Sequence, residues 1–563
     1  MSRRRLLRDK IWQPSNGVPM LRSSRVAACV ACFAVCWVLL GPAAAIAAGT
    51  FYVDNTNASC SNTGPGTEAQ PYCTISAAIA AHSGAGTTIL VKPGTYREQV
   101  TVNASGAAGN PFVIKALGGP VVVDGSDDFS TTSKWTHYTG NVYRASTVTW
   151  SPKQVFVDGA RLTLSTASPA FLATNSFIWV SGQGLYVNIG GPNPGTHSTL
   201  VGRRANAFYL TGRSYVTIEG FTTTHCDDRA IRLGSSSNFA TIRNNTITFS
   251  ARYGIYVSSC SYALIEKNAV SDNADHGIVL TVGSLGSTNC TVQDNESFRN
   301  AHPTTPGSVG IFLYGSPSNL IQRNRLHDNQ DSGLQIDSGS DNCISIQNRS
   351  WNNGDNGFDQ LNALGISHIG DIAYGNFKDG FSIEGTAPNS KVYNCIAVDN
   401  GLTTNEFDLW VNQESSVGFA SDYNIFWNST SRQPIKFIST QYATIAAFTA
   451  ATGHDAHSIQ ADPRFVNPGA GDFSLQAGSP AIDADNSGVA NWPATDAEGF
   501  ARRDDPATPN TGAGPVPYAE LGALEFPSDI PPVVTAPAAA SGQENTLITV
   551  AVIASDPDGD PIA

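Results

Sequence analysis

A short motif in which an apolar residue usually follows glycine recurs nine times in this 563-residue chain, and it constrains the fold more than any other feature. Successive motifs are 23, 24, 23, 33, 23, 24, 23 and 26 residues apart. A period of this length is typical of a solenoid, in which each repeat buries its apolar face only against its neighbours. The apolar residues that mark the motif are Phe208, Ile231, Ile255, Ile278, Ile311, Leu334, Phe358, Phe381 and Phe407.

Each repeat holds about three short apolar runs, for example Tyr262-Ala-Leu-Ile265, Ala269-Val270 and Ile278-Val-Leu280. Three strands and three turns in one repeat predict an all-β parallel β-helix, with a short capping helix at 75–81. The 53 glycines and 14% charged residues fit tightly turned strands better than helices. A leucine-rich horseshoe has a similar period, but its Leu-x-x-Leu-x-Leu signature is missing from the chain.

Asparagine is a second marker of the repeat, nine residues before most of the motif glycines. Stacked asparagines can hydrogen-bond along the solenoid axis and tolerate left-handed backbone, so we expect them to be structural. The marker residues are Asn245, Asn268, Asn324 and Asn348, with Asn295 and Asn394 in the matching place ahead of longer turns.

Residues 1–48 have the layout of a secretory signal, with cleavage expected near Ala47 or Ala48. A retained membrane anchor is the alternative, although the apolar run from Val26 to Leu40 is short for a span. Removing the segment changes the formal charge from -13 to -19, because it carries seven Lys or Arg residues and one Asp. We therefore expect a secreted monomer that binds neither nucleic acid nor membrane, and an anionic substrate would need local cations.

The rest of the chain divides into five parts by pattern. These are an N-terminal cap and first coils at 49–134, irregular coils or an insertion at 135–203, regular coils at 204–430, a C-terminal module of loops and short strands at 431–526, and a linker with a truncated repeat at 527–563.

Two parts of the chain resemble known proteins. The opening Phe51-Tyr-Val-Asp with Pro93-Gly-Thr-Tyr96, together with the C-terminal module, resembles secreted bacterial right-handed parallel β-helix proteins over roughly 50–525. The last segment, with Asp556-Pro-Asp-Gly-Asp560, resembles the first strands of a cadherin-like or immunoglobulin-like repeat, whose acidic loop would help to bind calcium.

Seven of the ten cysteines remain after signal removal. Cys60 and Cys73 flank a Gly/Pro loop and are expected to form a disulfide in an exported protein. Cys290 and Cys343 occupy the same place two coils apart, about 10 Å at ~4.8 Å per coil, which is beyond disulfide reach. The pairing of the other cysteines stays open.

A group of six carboxylates falls on three adjacent coils. Side chains alternate between the faces of a strand, so equivalent outward positions form columns about 4.8 Å apart. Such a carboxylate density is unfavourable without a cation, and calcium, a hard ion with oxygen ligands, is the natural partner. A solvated acidic face is the alternative. The six residues are Asp331, Asp337, Asp355, Asp359, Asp379 and Glu384.

Two of these coils carry the motifs Gly354-Asp-Asn-Gly-Phe-Asp359 and Lys378-Asp-Gly-Phe-Ser-Ile383. They resemble the calcium-dependent family 9 pectate lyases. That family's pattern is Asp-Asp-Gly-Phe-Asp for the metal, an aspartate one coil earlier, and a lysine base in a following Gly-Phe-Lys. The resemblance implies calcium binding by Asp355 and Asp359, with Asp331 as the earlier ligand.

The sequence departs from the family pattern at two positions. Asn356 replaces the second aspartate, which keeps an oxygen ligand but loses a charge. Ser382 stands where the lysine is expected, and serine is a poor base at neutral pH. Lys378 and His368 are near enough to replace that lysine, and a surface or turn role is the alternative for each.

Other candidates are too far away or incomplete. Arg232, Arg252 and Tyr256 lie four or five coils from Asp359, about 19 to 24 Å along the axis, so they cannot share its subsite. Cys226-Asp-Asp-Arg229 has the paired aspartates of polygalacturonases without their Gly-His-Gly or Arg-Ile-Lys.

The sequence thus predicts a secreted β-helix protein that acts on acidic polysaccharide. Calcium-assisted β-elimination is the leading chemistry, with Asp331, Asp355 and Asp359 as calcium ligands and Lys378 as the base. A non-catalytic carbohydrate-binding or adhesin-type β-helix stays open, as does a glycoside hydrolase or uronate epimerase on the same scaffold.

Overall fold

The computed structural model describes residues 48–282, 286–526, 533–535 and 552–555. The signal segment up to residue 47 and most of the predicted C-terminal repeat lie outside the described residues. The chain folds into a right-handed parallel β-helix, which confirms the predicted fold class. Each coil has three short strands, and equivalent strands of successive coils stack into three sheets, named A, B and C in the order in which a coil reaches them.

Sheet A is parallel throughout. Its twelve strands are Thr50–Val53, Thr88–Val91, Phe112–Ala116, Val216–Glu219, Thr241–Arg243, Leu264–Glu266, Thr291–Gln293, Leu320–Gln322, Ile344–Ile346, Ser367–Ile369, Lys391–Tyr393 and Ala420–Asp422.

Sheet B is also parallel. Its eleven strands are Gly94–Tyr96, Val121–Asp124, Thr222–Thr224, Thr246–Thr248, Ala269–Ser271, Glu296–Phe298, Arg325–His327, Arg349–Trp351, Ile372–Tyr374, Ile396–Val398 and Ile425–Trp427.

Sheet C contains most of the motif residues, and its last two strands are antiparallel. Its twelve strands are Val100–Val102, Phe208–Leu210, Ile231–Leu233, Ile255–Ser258, Ile278–Thr281, Ile311–Tyr314, Leu334–Asp337, Phe358–Leu361, Phe381–Glu384, Leu409–Val411, Ile435–Phe437 and Thr440–Tyr442.

The interior is a continuous apolar core formed by the inward residues of all three sheets. The motif residues of sheet C are fully buried there, and Phe358 and Phe381 stack with ring centroids 4.9 Å apart. Glycine precedes them because the backbone at that point touches the next coil. A Cβ on Gly357 would lie 2.8 Å from both the Gly380 carbonyl oxygen and the Asn376 Nδ2.

Two asparagine ladders run along the axis at the turns. In the ladder between sheets A and B, each side-chain Oδ1 accepts hydrogen bonds from the backbone N–H and the Nδ2 of the asparagine one coil before it. The predicted stacking of these residues is therefore confirmed. The ladder consists of Asn245, Asn268, Asn295, Asn324 and Asn348, and it ends on the carboxylate of Asp371.

The second ladder, between sheets B and C, was not expected from the sequence. It has the same hydrogen-bond pattern and ends on the carboxylate of Asp408. Its members are Asn273, Asn300, Asn329, Asn353, Asn376 and Asn400.

The structure corrects two predictions near the end of the coils. Asn394 does not continue the first ladder, because its Nδ2 donates to Asp485 Oδ1 at 2.9 Å. The inward residue of the ninth motif is Leu409 rather than Phe407, since Phe381 pairs in register with Leu409.

Residues 126–202 form an insertion between two coils. Its four-stranded sheet consists of Ser126–Asp128, Val155–Val157, Ala160–Arg161 and Thr199–Gly202. Its five-stranded sheet consists of Thr136–Thr139, Val142–Ala145, Thr163–Leu164, Ser176–Val180 and Gly184–Asn188. The insertion has its own apolar core and donates hydrogen bonds from Gln154 and Arg161 to carbonyls of the turns that follow sheet B.

Helices cap both ends of the coils. Helix α1, Ile75–Ala81, begins at Thr74, whose side chain accepts a hydrogen bond from the backbone of Ala77, and helix α2, Ile445–Thr452, begins at Thr444 in the same way. No helix of the described ranges is long and apolar enough to cross a membrane. The described ranges also contain five single 3-10 turns, Thr132–Lys134, Pro169–Phe171, Pro194–Thr196, Glu414–Ser416 and Pro468–Ala470.

The C-terminal module covers the outer face of sheet B at its last coils, where Phe473 packs with Trp351. It contains the strand pair Phe465–Asn467 and Asp472–Leu475. Further along, Val533–Thr535 pairs with Ile553–Ser555.

Cys60 and Cys73 form the expected disulfide. The five other cysteines of the described ranges, including Cys290 and Cys343, are buried thiols.

Asn295→Ala interrupts the first ladder, and we expect it to lower the free energy of unfolding by about 3 kcal/mol or more. It leaves the buried Asn268 N–H and Nδ2 groups and the Ile265 carbonyl without their partners, and each such loss costs roughly 1 to 3 kcal/mol. Denaturant unfolding measures the change. Asn103→Ala, at an exposed position after the first strand of sheet C, is the control. Equal stability of the two variants would contradict a stabilising role for the ladder.

Asp408→Asn is expected to stabilise the protein at neutral pH and to lose this advantage near pH 4. Burial raises the pKa of Asp408 well above its usual value, and its Oδ2 has no hydrogen-bond partner within the described residues. Because the folded pKa lies above the unfolded one, the folded state binds the proton more tightly, and the wild type loses stability as the pH rises above about 4. The melting temperatures of both proteins are measured from pH 4 to 8, and the advantage of Asp408→Asn over the wild type should grow as the pH rises. Parallel curves would contradict the raised pKa.

Candidate functional site

The outward face of sheet C carries the predicted site. Adjacent coils place Gln335, Asp359, Ser382, Trp410 and Lys436 in one column, each paired in register with the next. The C-terminal module covers sheet B, and sheet C offers its outward side chains in a line along the axis, as a linear ligand would require. The predicted register of Ser382 with Asp359 is confirmed.

Asp359 is the centre of the acidic part of this column. Only 7% of the residue is exposed, and its Oδ2 accepts a hydrogen bond from Gln335 Nε2 at 3.1 Å. Its Oδ1 is buried and has no hydrogen-bond partner within the described part of the chain. Burial raises the pKa of Asp359 well above its usual value, and four neighbouring carboxylates raise it further. These are Glu384, Asp355, Asp331 and Asp337.

The other two predicted ligands already have partners. Asp331 Oδ1 accepts hydrogen bonds from the backbone N–H of Ser332 at 2.8 Å and from its hydroxyl at 3.1 Å. Asp355 forms an ion pair with Lys378, with 2.5 Å between Oδ1 and Nζ. Both aspartates act on the pKa of Asp359, so the three residues share one electrostatic environment. In the described ranges, however, no three His, Cys, Asp or Glu side chains are gathered as a metal cluster.

The base candidates differ in accessibility. Lys378 lies in the turn before the Ser382 strand, and its side chain is 31% exposed. Ser382 is buried, and its hydroxyl points towards Glu384 Oε1 at 3.5 Å. His368 is also buried, with its Nδ1 3.1 Å from Asp371 Oδ2 at the end of the first asparagine ladder. His368 is therefore part of the coil interior, and the structure contradicts its candidacy as a base.

Asp379 serves the turn rather than the open face. Its Oδ1 accepts a hydrogen bond from the backbone N–H of Phe407 at 2.7 Å, and burial raises its pKa well above the usual value.

Three residues of the column had no predicted role. Gln335 orients the central carboxylate, while Trp410 and Lys436 continue the column beyond Ser382, with Lys436 Nζ 4.8 Å from the Trp410 ring centroid. Trp410 belongs to this column only because Leu409 is the inward residue, whereas the predicted inward residue Phe407 would place it two positions further along the strand. Lys436 follows a long connection after Val411, so no regular spacing pointed to it.

The stacked coils define the chain as a right-handed parallel β-helix protein. The family described as "Right handed beta helix region" matches residues 159–305 and 231–433. The chain is similar to the pectate disaccharide-lyase of Dickeya chrysanthemi, with 26% identity over 338 residues. That match covers 54% of this chain and 44% of the relative, so the chain spans less than half of the relative's length.

The chain is also similar to solved structures. The complex of XylC with xylose is 16% identical with a TM-score of 0.53, and the match covers 69% of this chain and 86% of that one. This likeness shows the fold alone. Pectate lyase Pel9A is also 16% identical, with a TM-score of 0.46 and coverage of 86% of this chain and 98% of that one.

Proposed function

We propose that this protein is an exported enzyme that cleaves a uronate-containing polysaccharide by calcium-assisted β-elimination. The observation that carries the proposal is Asp359, an outward strand residue whose Oδ1 is buried without a partner beside four other carboxylates. The similarity to a pectate disaccharide-lyase supports the substrate class. The signal layout of 1–48 and the Cys60–Cys73 disulfide support export.

The donor chemistry of the acidic face suits calcium. Asp331, Asp355 and Asp359 supply carboxylate oxygens, which a hard cation prefers. A cation beside Asp359 would give its Oδ1 a partner and offset the repulsion that raises its pKa. Because these carboxylates are not gathered as a cluster in the described residues, we expect the cation to draw them together, with Asp355 exchanging part of its contact with Lys378.

The reaction removes the α-proton of a uronate and breaks the glycosidic bond. Calcium would supply charge neutralisation of the uronate carboxylate, which acidifies that proton. The base takes the proton, the C–H electron pair becomes the new C=C bond, and the glycosidic oxygen leaves with the C–O pair. Lys378 is the proposed base, and to act it must lose its proton and release Asp355. Gln335 holds Asp359 in place through its 3.1 Å hydrogen bond.

A non-catalytic carbohydrate-binding protein is the second candidate. It is favoured by the strand position one coil after Asp359, where Ser382 is buried and offers no basic group. The ion pair of Lys378 with Asp355 also favours this candidate, since it occupies the amine that would have to act as the base.

The test of cleavage is the absorbance of the unsaturated product on polygalacturonate and alginate, with calcium or with chelator. We expect a calcium-dependent rise that Asp359→Ala lowers at least about 10-fold and Lys378→Ala about 10² to 10⁴-fold. Asp472→Ala, at an exposed position in the C-terminal module, should not change the rate.

Three outcomes separate the alternatives. A rise that survives Lys378→Ala but not Asp359→Ala would keep the cation site and contradict the base. No rise on either uronan, with retained polysaccharide binding, would favour the non-catalytic protein. A rise that is unaffected by chelator would contradict the calcium requirement.

Calcium should also raise the melting temperature of the wild type. A ligand at 100 times its Kd stabilises by about 2.7 kcal/mol. The gain in melting temperature should be larger at pH 8 than at pH 5, because the raised pKa of Asp359 lets protons compete with calcium for its carboxylate at the lower pH. Asp359→Asn should remove most of this gain. Differential scanning calorimetry gives the shift. An equal calcium shift in wild type and Asp359→Asn would place the ion elsewhere.

A further inference from the structure

The other end of the same outward column is basic and aromatic. Tyr209, Arg232 and Tyr256 pair in register on three successive coils of sheet C. Arg229 and Arg252 lie in the turns that lead into two of these strands. We call these five residues, with Tyr253, the basic platform. Three arginines therefore lie together in a chain of net charge -13, and the acidic site does not use them.

Arg232 is the most available cation of the platform. Its guanidinium lies 5.1 Å from the Tyr209 ring centroid, and its Nε is buried without a hydrogen-bond partner. Within the described part of the chain, Arg232 forms no ion pair with a carboxylate. A half-buried guanidinium without a bound anion can act as an anion-binding site, because the geometry of its N–H donors matches a carboxylate best.

The other two arginines are packed on tyrosines and only partly neutralised. The Arg229 guanidinium lies 4.3 Å from the Tyr256 ring centroid, and that of Arg252 lies 4.4 Å from the Tyr253 ring centroid. Arg229 pairs with Asp228, and Arg252 lies 3.8 Å from Asp275.

Three guanidinium groups thus face two carboxylates. Burial lowers the pKa of Arg229, and the charges of Arg252 and Arg232 lower it further, so the arginines repel one another. An added anion would relieve that repulsion.

An aromatic ribbon connects the platform with the acidic site. The rings of Tyr253 and His276 stack at 5.4 Å, and those of His276 and Phe312 stack at 4.7 Å. Phe312 pairs in register with Gln335, which pairs with Asp359. The side chains along this face therefore change from guanidinium groups through stacked aromatic rings to carboxylates, over five coils or about 24 Å.

We propose that the basic platform is a second binding subsite, which holds the carboxylates of a uronate oligosaccharide while the aromatic ribbon supports its sugar rings. Arginine provides bidentate contacts to each carboxylate, and the tyrosine rings provide apolar area at low entropic cost. The substrate class rests on the proposed function. Because the arginines of the platform lie about 19 to 24 Å from Asp359, only a chain of several sugars reaches both sites. The platform would thus select long acidic chains over short ones.

The test is calorimetric binding of hexagalacturonate in the presence of chelator, where the acidic face repels the ligand. Wild type should bind it, and Arg232→Gln should weaken the binding by about tenfold or more. The carboxyl-reduced hexasaccharide should bind wild type and variant equally weakly.

Arg299→Gln is the matched control. Its guanidinium also lies on an aromatic ring, 4.4 Å from the Phe298 centroid, and pairs with Asp272, but it follows a strand of sheet B. It should bind hexagalacturonate like wild type. The proposal is overturned if wild type does not bind hexagalacturonate in chelator, if the reduced sugar binds equally well, or if Arg232→Gln and Arg299→Gln behave alike.

Failure of the subsite and failure of the proposed function give different results. Asp359→Ala should bind hexagalacturonate in chelator as wild type does. Binding that depends on Arg232, without cleavage of any uronan, would support the platform and contradict the lyase. Calcium-dependent cleavage with a Kd and KM for hexagalacturonate that Arg232→Gln leaves unchanged would support the lyase and contradict the platform.

Discussion

The hydrogen bonds that join one coil to the next are the interaction on which the rest of this structure depends. Backbone pairing sets the strand spacing, and the two asparagine ladders fix each turn above the one before it, because every Oδ1 accepts two N–H groups of the preceding coil. The motif glycines follow from the same contact, since a Cβ at Gly357 would meet the side chain of Asn376. The motif glycine of one coil thus leaves the space that the ladder asparagine of the next coil fills.

Each ladder ends where an aspartate replaces asparagine. Asp371 ends the first ladder and is paired with His368, while Asp408 ends the second and keeps one buried oxygen without a partner within the described residues. A carboxylate accepts hydrogen bonds but has no N–H to pass on, so it can receive the last asparagine but cannot extend the ladder.

The exact stacking of coils also gives the outward face of sheet C its chemical order. Residues far apart in sequence become neighbours, with arginines and tyrosines at one end, aromatic rings in the middle, and carboxylates beside Lys378 and Trp410 at the other. A face with this order suits a linear, charged ligand better than a compact one. The net negative charge of the chain makes the local cations more informative, because they lie where the general surface would repel an anion.

The sequence by itself determined the β-helix, the first ladder and the register of Asp359 with Ser382, because a regular period converts directly into neighbours in space. It failed where the period changes. The two-residue shift that puts Leu409 inside could not be read from Phe407, since both are apolar. Only the tertiary structure decided that His368 lies in the interior, that Lys378 holds Asp355, and that Arg232 has no carboxylate partner among the described residues. The physical reason is that a period fixes which coil a residue occupies, whereas burial and pairing depend on side-chain direction and on the segments packed against that coil.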